Sequence, residues 1–432
     1  MKFAMLRTGC SLAILALAIG SASAATIRIA EHRQARIDAL NASIPAIEAK
    51  LGVDIEVVEY PAPEKDYFSK LLTELGAGNA PDLFTANNDA DVPDLVAAGY
   101  VADITAAVQS WDGYPELLDV VKRLSTMPDG KMYQLDSMLS VSQIYYRRDV
   151  LDAAGISTDQ PKSWAELLDR VREIKAKTGK YGLLLPAGTT WGGGAFYEGV
   201  MLMLVGTSTP QILNADGTLD LTGEGIADVL DFYKTLIDED LMPIDPLLGP
   251  EPWVIPKYEM FPAGELVATT CGSWCYIYDW GPESKNPIPD VTDAVGTWAV
   301  PNEDGSGSTV TVGGQSIWMV NAKGADTEMA TKVLLELSAV QPTVEYAKRL
   351  GNIPARRDAL DNADFQALPE LVPVLQNAES GTYLQSGEGF SAVSEGFARA
   401  TEALLRKETD AAGAQQILID YTRNLLGDEM VK

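Results

Sequence analysis

One histidine, three cysteines and 61 acidic side chains are what 432 residues offer for acid–base, nucleophilic or metal chemistry. A single imidazole removes every site that needs two, including three-His zinc and the helical zinc-protease pair. That residue, His32, stands in Glu31-His32-Arg33-Gln34, and Asn87-Asn88-Asp89 forms a second group of short polar side chains. Both can donate and accept hydrogen bonds at short reach. The alternatives are a surface imidazole and helix-capping turn chemistry. A third group is aromatic: Trp253, Tyr258, Trp274, Tyr276, Tyr278 and Trp280 crowd one stretch broken by Gly and Pro. A helical core stripe would show a 3.6-residue spacing, so part of this set lines a cleft, with Trp274 or Trp280 as a stacking platform. Aromatic faces suit the C–H faces of sugars, although Trp is often simply buried core. In Val312-Gly313-Gly314-Gln315-Ser316, paired glycines before an apolar strand let backbone approach another segment or a ligand. No Lys-Ser or Lys-Thr follows to make a phosphate loop. No complete dinucleotide fingerprint and no Gly-x-Ser-x-Gly elbow occurs.

Charge narrows the classes further. With 33 basic against 61 acidic residues the net charge is −28, which excludes nucleic acid as a main partner. The length allows two or three domains of roughly 150 residues. Residues 1–24 run from Lys2 and Arg7 through an apolar stretch, Leu12 to Ile19, to Ala22-Ser23-Ala24. That order is a secretory leader, and the apolar run is well short of the ~20 residues of a spanning helix. Cleavage would remove Cys10 and leave Cys271 and Cys275, read as a disulfide in an oxidising compartment, with metal binding as the weaker alternative.

These groups need elements to hold them. Thr26–Ala30, Val53–Val58 and Pro81–Ala86 read as strands, separated by helices over Ala35–Leu51 and around Phe68–Leu75. This alternation implies an α/β fold with a mainly parallel sheet covered on both faces. Ligands then bind beyond the strand carboxyl ends, where His32 and Asp89 fall. Further along, Ile144–Tyr146 and Tyr181–Leu185 read as strands. Ser163 and Glu166 read as a capping box, and helices are expected over Ile226–Leu236, Ala330–Ala339, from Ser391, and after Asp410.

Several segments in order resemble the solute-binding proteins of bacterial sugar ABC importers, a maltose-binding-protein-like family. They include Gly78-Asn79-Ala80-Pro81-Asp82, Gly130-Lys131-Met132-Tyr133-Gln134-Leu135, Ile144 to Leu151, and Ser163-Trp164-Ala165-Glu166-Leu167-Leu168. Phe261-Pro262-Ala263-Gly264-Glu265, Gly272-Ser273-Trp274, Gly313-Gly314 and Gly351 to Arg356 continue the series. Arg147, Leu135 and Thr270 replace the family's usual Asn, Pro and Met, which bears on the solute more than on the fold. The resemblance implies two α/β lobes, each a mainly parallel sheet flanked by helices, joined by a hinge and closing on a ligand. It places residues 25–136 and 312–354 in the first lobe, and 137–311 and 355–432 in the second. It implies contacts from His32, Gln34, Asn88, Asp89, Asp136 and Thr189. Trp191, Trp253, Trp274, Trp280, Gly314 and Arg356 complete that set. No metal or cofactor is implied. The expected partners are a small carbohydrate and the membrane permease of an importer, with the protein acting as a periplasmic monomer. Two other readings stand beside this one. A secreted glycoside hydrolase needs two carboxylates about 5–10 Å apart. An anionic sugar derivative would instead be held by Arg33, Arg36, Arg356 and Arg357.

Overall fold

The structure, a computed structural model, describes residues 26–432 apart from 62–63, 87–88, 90, 370, 372–373, 375–380 and 385. The expected leader 1–24, Cys10 and Asn88 lie outside the described residues. The first sheet begins as its alternating sequence requires. β1 (Thr26–Glu31) pairs in parallel with β2 (Asp54–Glu59) and β3 (Leu83–Thr85). Helices Gln34–Leu51 and Glu64–Ala77 supply the crossovers that parallel strands need. Two strands from elsewhere complete it, both antiparallel: β11 (Ile317–Val320) beside β3, and β4 (Leu135–Asp136) beside β11.

The second sheet departs from the mainly parallel expectation. Its spine is β5 (Met138–Arg147), ten residues that are all buried. The first half of β5 pairs with β10 (Thr311–Gly314) and β12 (Ile353–Pro354). Its second half pairs with β6 (Ala268–Cys271) and β7 (Val295–Trp298). All four ladders are antiparallel. A small hairpin of β8 (Val300–Pro301) and β9 (Ser308–Thr309) lies outside both sheets. The strand expected at 181–185 is reduced to parallel bridges Tyr181–Leu266 and Leu184–Thr269. Tyr181 and Leu184 donate toward β6 and its approach, whereas Gly182 and Leu183 donate to the Leu241 carbonyl, so no continuous ladder forms.

The chain passes between the sheets in very few residues. Ser137 alone separates β4 from β5, and Gln315–Ser316 separate β10 from β11. These passages bond one another: Ser137 N–H to the Ser316 carbonyl at 3.2 Å, and Gln315 N–H to that of Met138 at 3.0 Å. One apolar core runs from Ile27 and Leu83 through Val141 and Ile144 to Leu418. A smaller core on the first sheet gathers Tyr67, Leu71, Phe84, Val92 and Leu95.

Helix boundaries follow the caps. Ser163 accepts the Glu166 N–H at 3.3 Å, while Glu166 reaches one residue beyond the cap, to the Lys162 N–H at 2.9 Å. Asp410 caps Ala411–Leu426 by accepting the Gly413 N–H at 2.9 Å. Helix Phe390–Leu405 packs on Ala411–Leu426. Its start is met by Asp94 of helix Asp91–Ala97, which accepts from the Gly389 N–H at 2.9 Å and from the Ser391 hydroxyl. Among the described residues no helix is long and apolar enough to cross a membrane.

Ile144 has no exposed surface and pairs across both β6 and β7. Ile144→Ala is expected to cost about 2–5 kcal/mol of unfolding free energy, measured by urea denaturation.

Candidate functional site

Three of the expected residues, Asp89, Asp136 and Gly314, fall into place where β5 meets the first sheet. Asp89, from the loop after β3, uses both carboxylate oxygens: one accepts Gln134 Nε2 at 3.2 Å and the other the Gly314 N–H at 3.2 Å. The same Gln134 nitrogen donates to Asp136 at 3.1 Å, and the Ser125 hydroxyl adds a bond at 3.2 Å. Burial raises both carboxyls above the ordinary range, and the Asp89 charge raises Asp136 further. Gly314 is required here. A Cβ would meet Asp136 Oδ1 at 2.1 Å, so only a bare backbone fits between the two acids.

A cavity of about 50 Å³ opens beside this group. Asp89, Gln134 and Arg123 line it with Gly313 of β10, Tyr197 and Tyr383. Sequence reasoning missed Gln134, Arg123, Tyr197 and Tyr383. Only Gln134 carried a signal, as part of the Lys131 to Leu135 segment.

The aromatic group gathers around a buried ion pair that the sequence did not reveal. Residues Ala195–Val200 and Val254–Met260 wind as π-helices, a form concentrated at functional sites. Glu198 from the first accepts a bond of 2.5 Å from Lys257 of the second. The Lys257 ammonium lies 5.5 Å from the Trp191 ring centre and 5.8 Å from that of Trp274, within cation–π range. Trp253 meets Trp191 edge-on at 6.3 Å. Trp253 and Trp274 keep partial exposure, so they have surface left for stacking. Tyr197, the residue before Glu198 on the same π-helix, lines the cavity.

Trp280 must be corrected. It is fully buried, stacks on Phe261 at 4.2 Å, and donates its indole N–H to the Lys257 carbonyl at 3.0 Å, so it is a core ring. Other expected contacts are occupied within the fold. The Thr189 N–H donates to Glu402 at 3.0 Å, joined by the Thr189 hydroxyl. Gln34 is exposed and donates to Asp38 at 2.8 Å. Arg356 makes a two-point pair with Asp358 at 2.9 and 2.6 Å. Of the arginines proposed for an anion, Arg36 donates to the Gln315 carbonyl at 2.6 Å, and Arg357 to that of Leu117 at 2.9 Å.

Cys271 and Cys275 adjoin at the foot of β6, their Cα atoms 6.4 Å apart, a spacing a disulfide accepts. Asp279 lies beside them, and burial pushes its carboxyl up to about 7 against the pull of the Lys257 cation.

His32 takes a supporting place. Its ring stacks on Tyr67 at 4.4 Å, and its backbone N–H donates to Glu31 at 2.8 Å. Burial, helped by the Arg33 and Arg36 cations, lowers its pKa from 6.5 to about 3.

Residues 42–373 match the pattern of the bacterial extracellular solute-binding proteins. The chain belongs to that family. A Brucella abortus (strain 2308) binding protein is 25% identical over 433 residues, covering 92% of this chain and 97% of its own. An arabinooligosaccharide-binding protein of Halalkalibacterium halodurans is 21% identical, covering 72% of this chain and 67% of its own. Among solved structures, maltose-bound MalE3 of T. maritima superposes with a TM-score of 0.77 at 18% identity, covering 93% of this chain and all of that one. The family member thus shares the two-lobe α/β fold of MalE-like proteins.

The His32 shift fixes a sign. The unfolded imidazole takes a proton below about pH 6.5, and the folded one resists until about pH 3. Its contribution to stability is therefore complete above pH 6.5 and is lost as the pH falls toward 3. His32→Gln should flatten the acid limb of melting temperature against pH, by at most about 1.4 kcal/mol per pH unit.

Proposed function

We propose that the protein captures a carbohydrate between two lobes and delivers it intact to the permease of an ABC importer. The observation that carries this is the cavity beside Asp89, whose walls come from the first sheet, from β10, and from segments packed on the second sheet. A solute held there touches every part that would move. The sugar class is supported by the stacking surface of Trp253 and Trp274 and by the relative that binds arabinooligosaccharides. On this reading the lobes are the expected 25–136 with 312–354, and 137–311 with 355–432, except that β10 and β12, which pair with β5, go with the second lobe. They flex at Ser137 and Gln315–Ser316. Asp89, Gly314, Trp253 and Trp274 contact the solute, and Gln134, Tyr197 and Tyr383 join them. His32, Gln34, Asp136, Thr189, Trp191 and Arg356 support the walls, and a Cys271–Cys275 disulfide steadies the loop that bears Trp274. The leader 1–24 directs export to the periplasm, where the mature protein acts as a monomer.

Capture is favoured over hydrolysis because Asp89 and Asp136 share one amide donor and are both drawn toward the protonated form. A glycosidase needs one free carboxylate and one acid across the scissile bond.

A thermal-shift panel of neutral sugars, glycosides and acidic sugar derivatives tests the proposal. A true ligand at 100 times its Kd adds about 2.7 kcal/mol of stability and is recovered unaltered by mass spectrometry. Trp253→Ala and Trp274→Ala should each weaken that ligand about tenfold with little change in the ligand-free melting point. Cleaved sugar among the products, or no shift with any compound, would overturn the reading.

A further inference from the structure

We propose that the solute carries one anionic group, a carboxylate, sulfonate or phosphate, and that Arg123 receives it. This rests on the carbohydrate reading above and names the chemistry of its ligand.

Among the described residues lining the cavity, Asp89 and Arg123 are the charged ones. Asp89 is already engaged at both oxygens, by Gln134 and by the Gly314 N–H. Its burial also disfavours the ionised form. Arg123 is the opposite case. It is exposed on the last turn of helix Asp119–Leu124, and among the described residues its guanidinium has no ion pair, hydrogen bond or ring partner. Nearby cations are engaged: Lys122 reaches Asp119 at 3.8 Å, and Lys131 reaches Asp103 at 3.1 Å. In a chain with 61 acidic residues against 33 basic ones, a free guanidinium at a cavity wall is conspicuous by contrast. Its planar fork matches the paired oxygens of carboxylate, sulfonate or phosphate better than it matches a neutral hydroxyl. The Tyr197, Tyr383 and Ser386 hydroxyls on the other walls are neutral and suit the remaining hydroxyls of a sugar.

A purely local role competes with this. A cation on the last turn of a helix is favoured by the helix dipole. That role predicts a small loss of stability on removing the charge and no change in which solute is chosen.

The test uses matched pairs: glucose with glucuronate and glucose 6-phosphate, galactose with galacturonate, and a neutral with a sulfonated glycoside. Each is titrated calorimetrically into the ligand-free mature protein, Arg123→Gln and Arg123→Lys. The expected result is that the tightest ligand is an anionic member. Arg123→Gln should weaken it tenfold or more while its neutral partner changes less than threefold, and Arg123→Lys should fall between. Equal or tighter binding of the neutral members overturns this inference and leaves the carbohydrate reading standing. So does an equal loss for both members in Arg123→Gln. Binding of no member overturns the carbohydrate reading, and this inference falls with it.

Discussion

Everything in the molecule is referred to one buried strand. All ten residues of β5 are inside, so neither its side chains nor its peptide groups can rely on water. Pairing must be supplied along both edges, and the chain supplies it from four strands far apart in sequence. β10 and β12 serve one half and β6 and β7 the other. The short passages at Ser137 and Gln315–Ser316 then follow from geometry: strands that must end on β5 also have to reach the neighbouring sheet at once. They are bonded to each other, which makes a narrow pivot of a few residues.

Around that pivot the charges are compensated locally, although the chain as a whole is at −28. Glu198 neutralises Lys257 at 2.5 Å, and the indoles beside the ammonium share its field. Asp89 and Asp136 are balanced by amide donors instead of cations. Arg36 lies within 3.9 Å of Glu31 while bonding a backbone carbonyl. Such pairing keeps buried polar groups from opposing the fold, and it leaves the cavity wall with few groups whose hydrogen-bonding capacity is still open.

The first sheet was legible because its signals are local. Alternating Ile27 and Ile29 act within a few positions of where they stand, as do, elsewhere in the chain, the capping residues Ser163 and Asp410. β5 was half legible: Ile144–Tyr146 reads as strand, but Ser137, Ser140, Ser142 and Gln143 hide its length, because their burial depends on partners over a hundred residues away. Asp89 and Gly314 were found through the rule that ligands sit beyond strand ends and through paired glycines. The Lys257–Glu198 pair and Arg123 had no signal, since an isolated charge on a short helix is indistinguishable from solvated surface until its neighbours are known. Trp280 failed for the same reason in reverse. Its spacing resembled that of Trp274, and only the enclosing Phe261 and Tyr145 rings separate a core indole from an accessible one.

The contact of Asp94 with the start of helix Phe390–Leu405 has a consequence for how tightly any solute is held. On the proposed division into lobes the helix end and its cap fall in different lobes, so parting them would strip the Gly389 N–H and the Ser391 hydroxyl of their acceptor. On that division the bond would bias the protein toward the joined arrangement without any solute. Since apparent affinity scales with the fraction of molecules already competent to bind, a carboxylate that touches no ligand would, on the proposed function, set part of the dissociation constant.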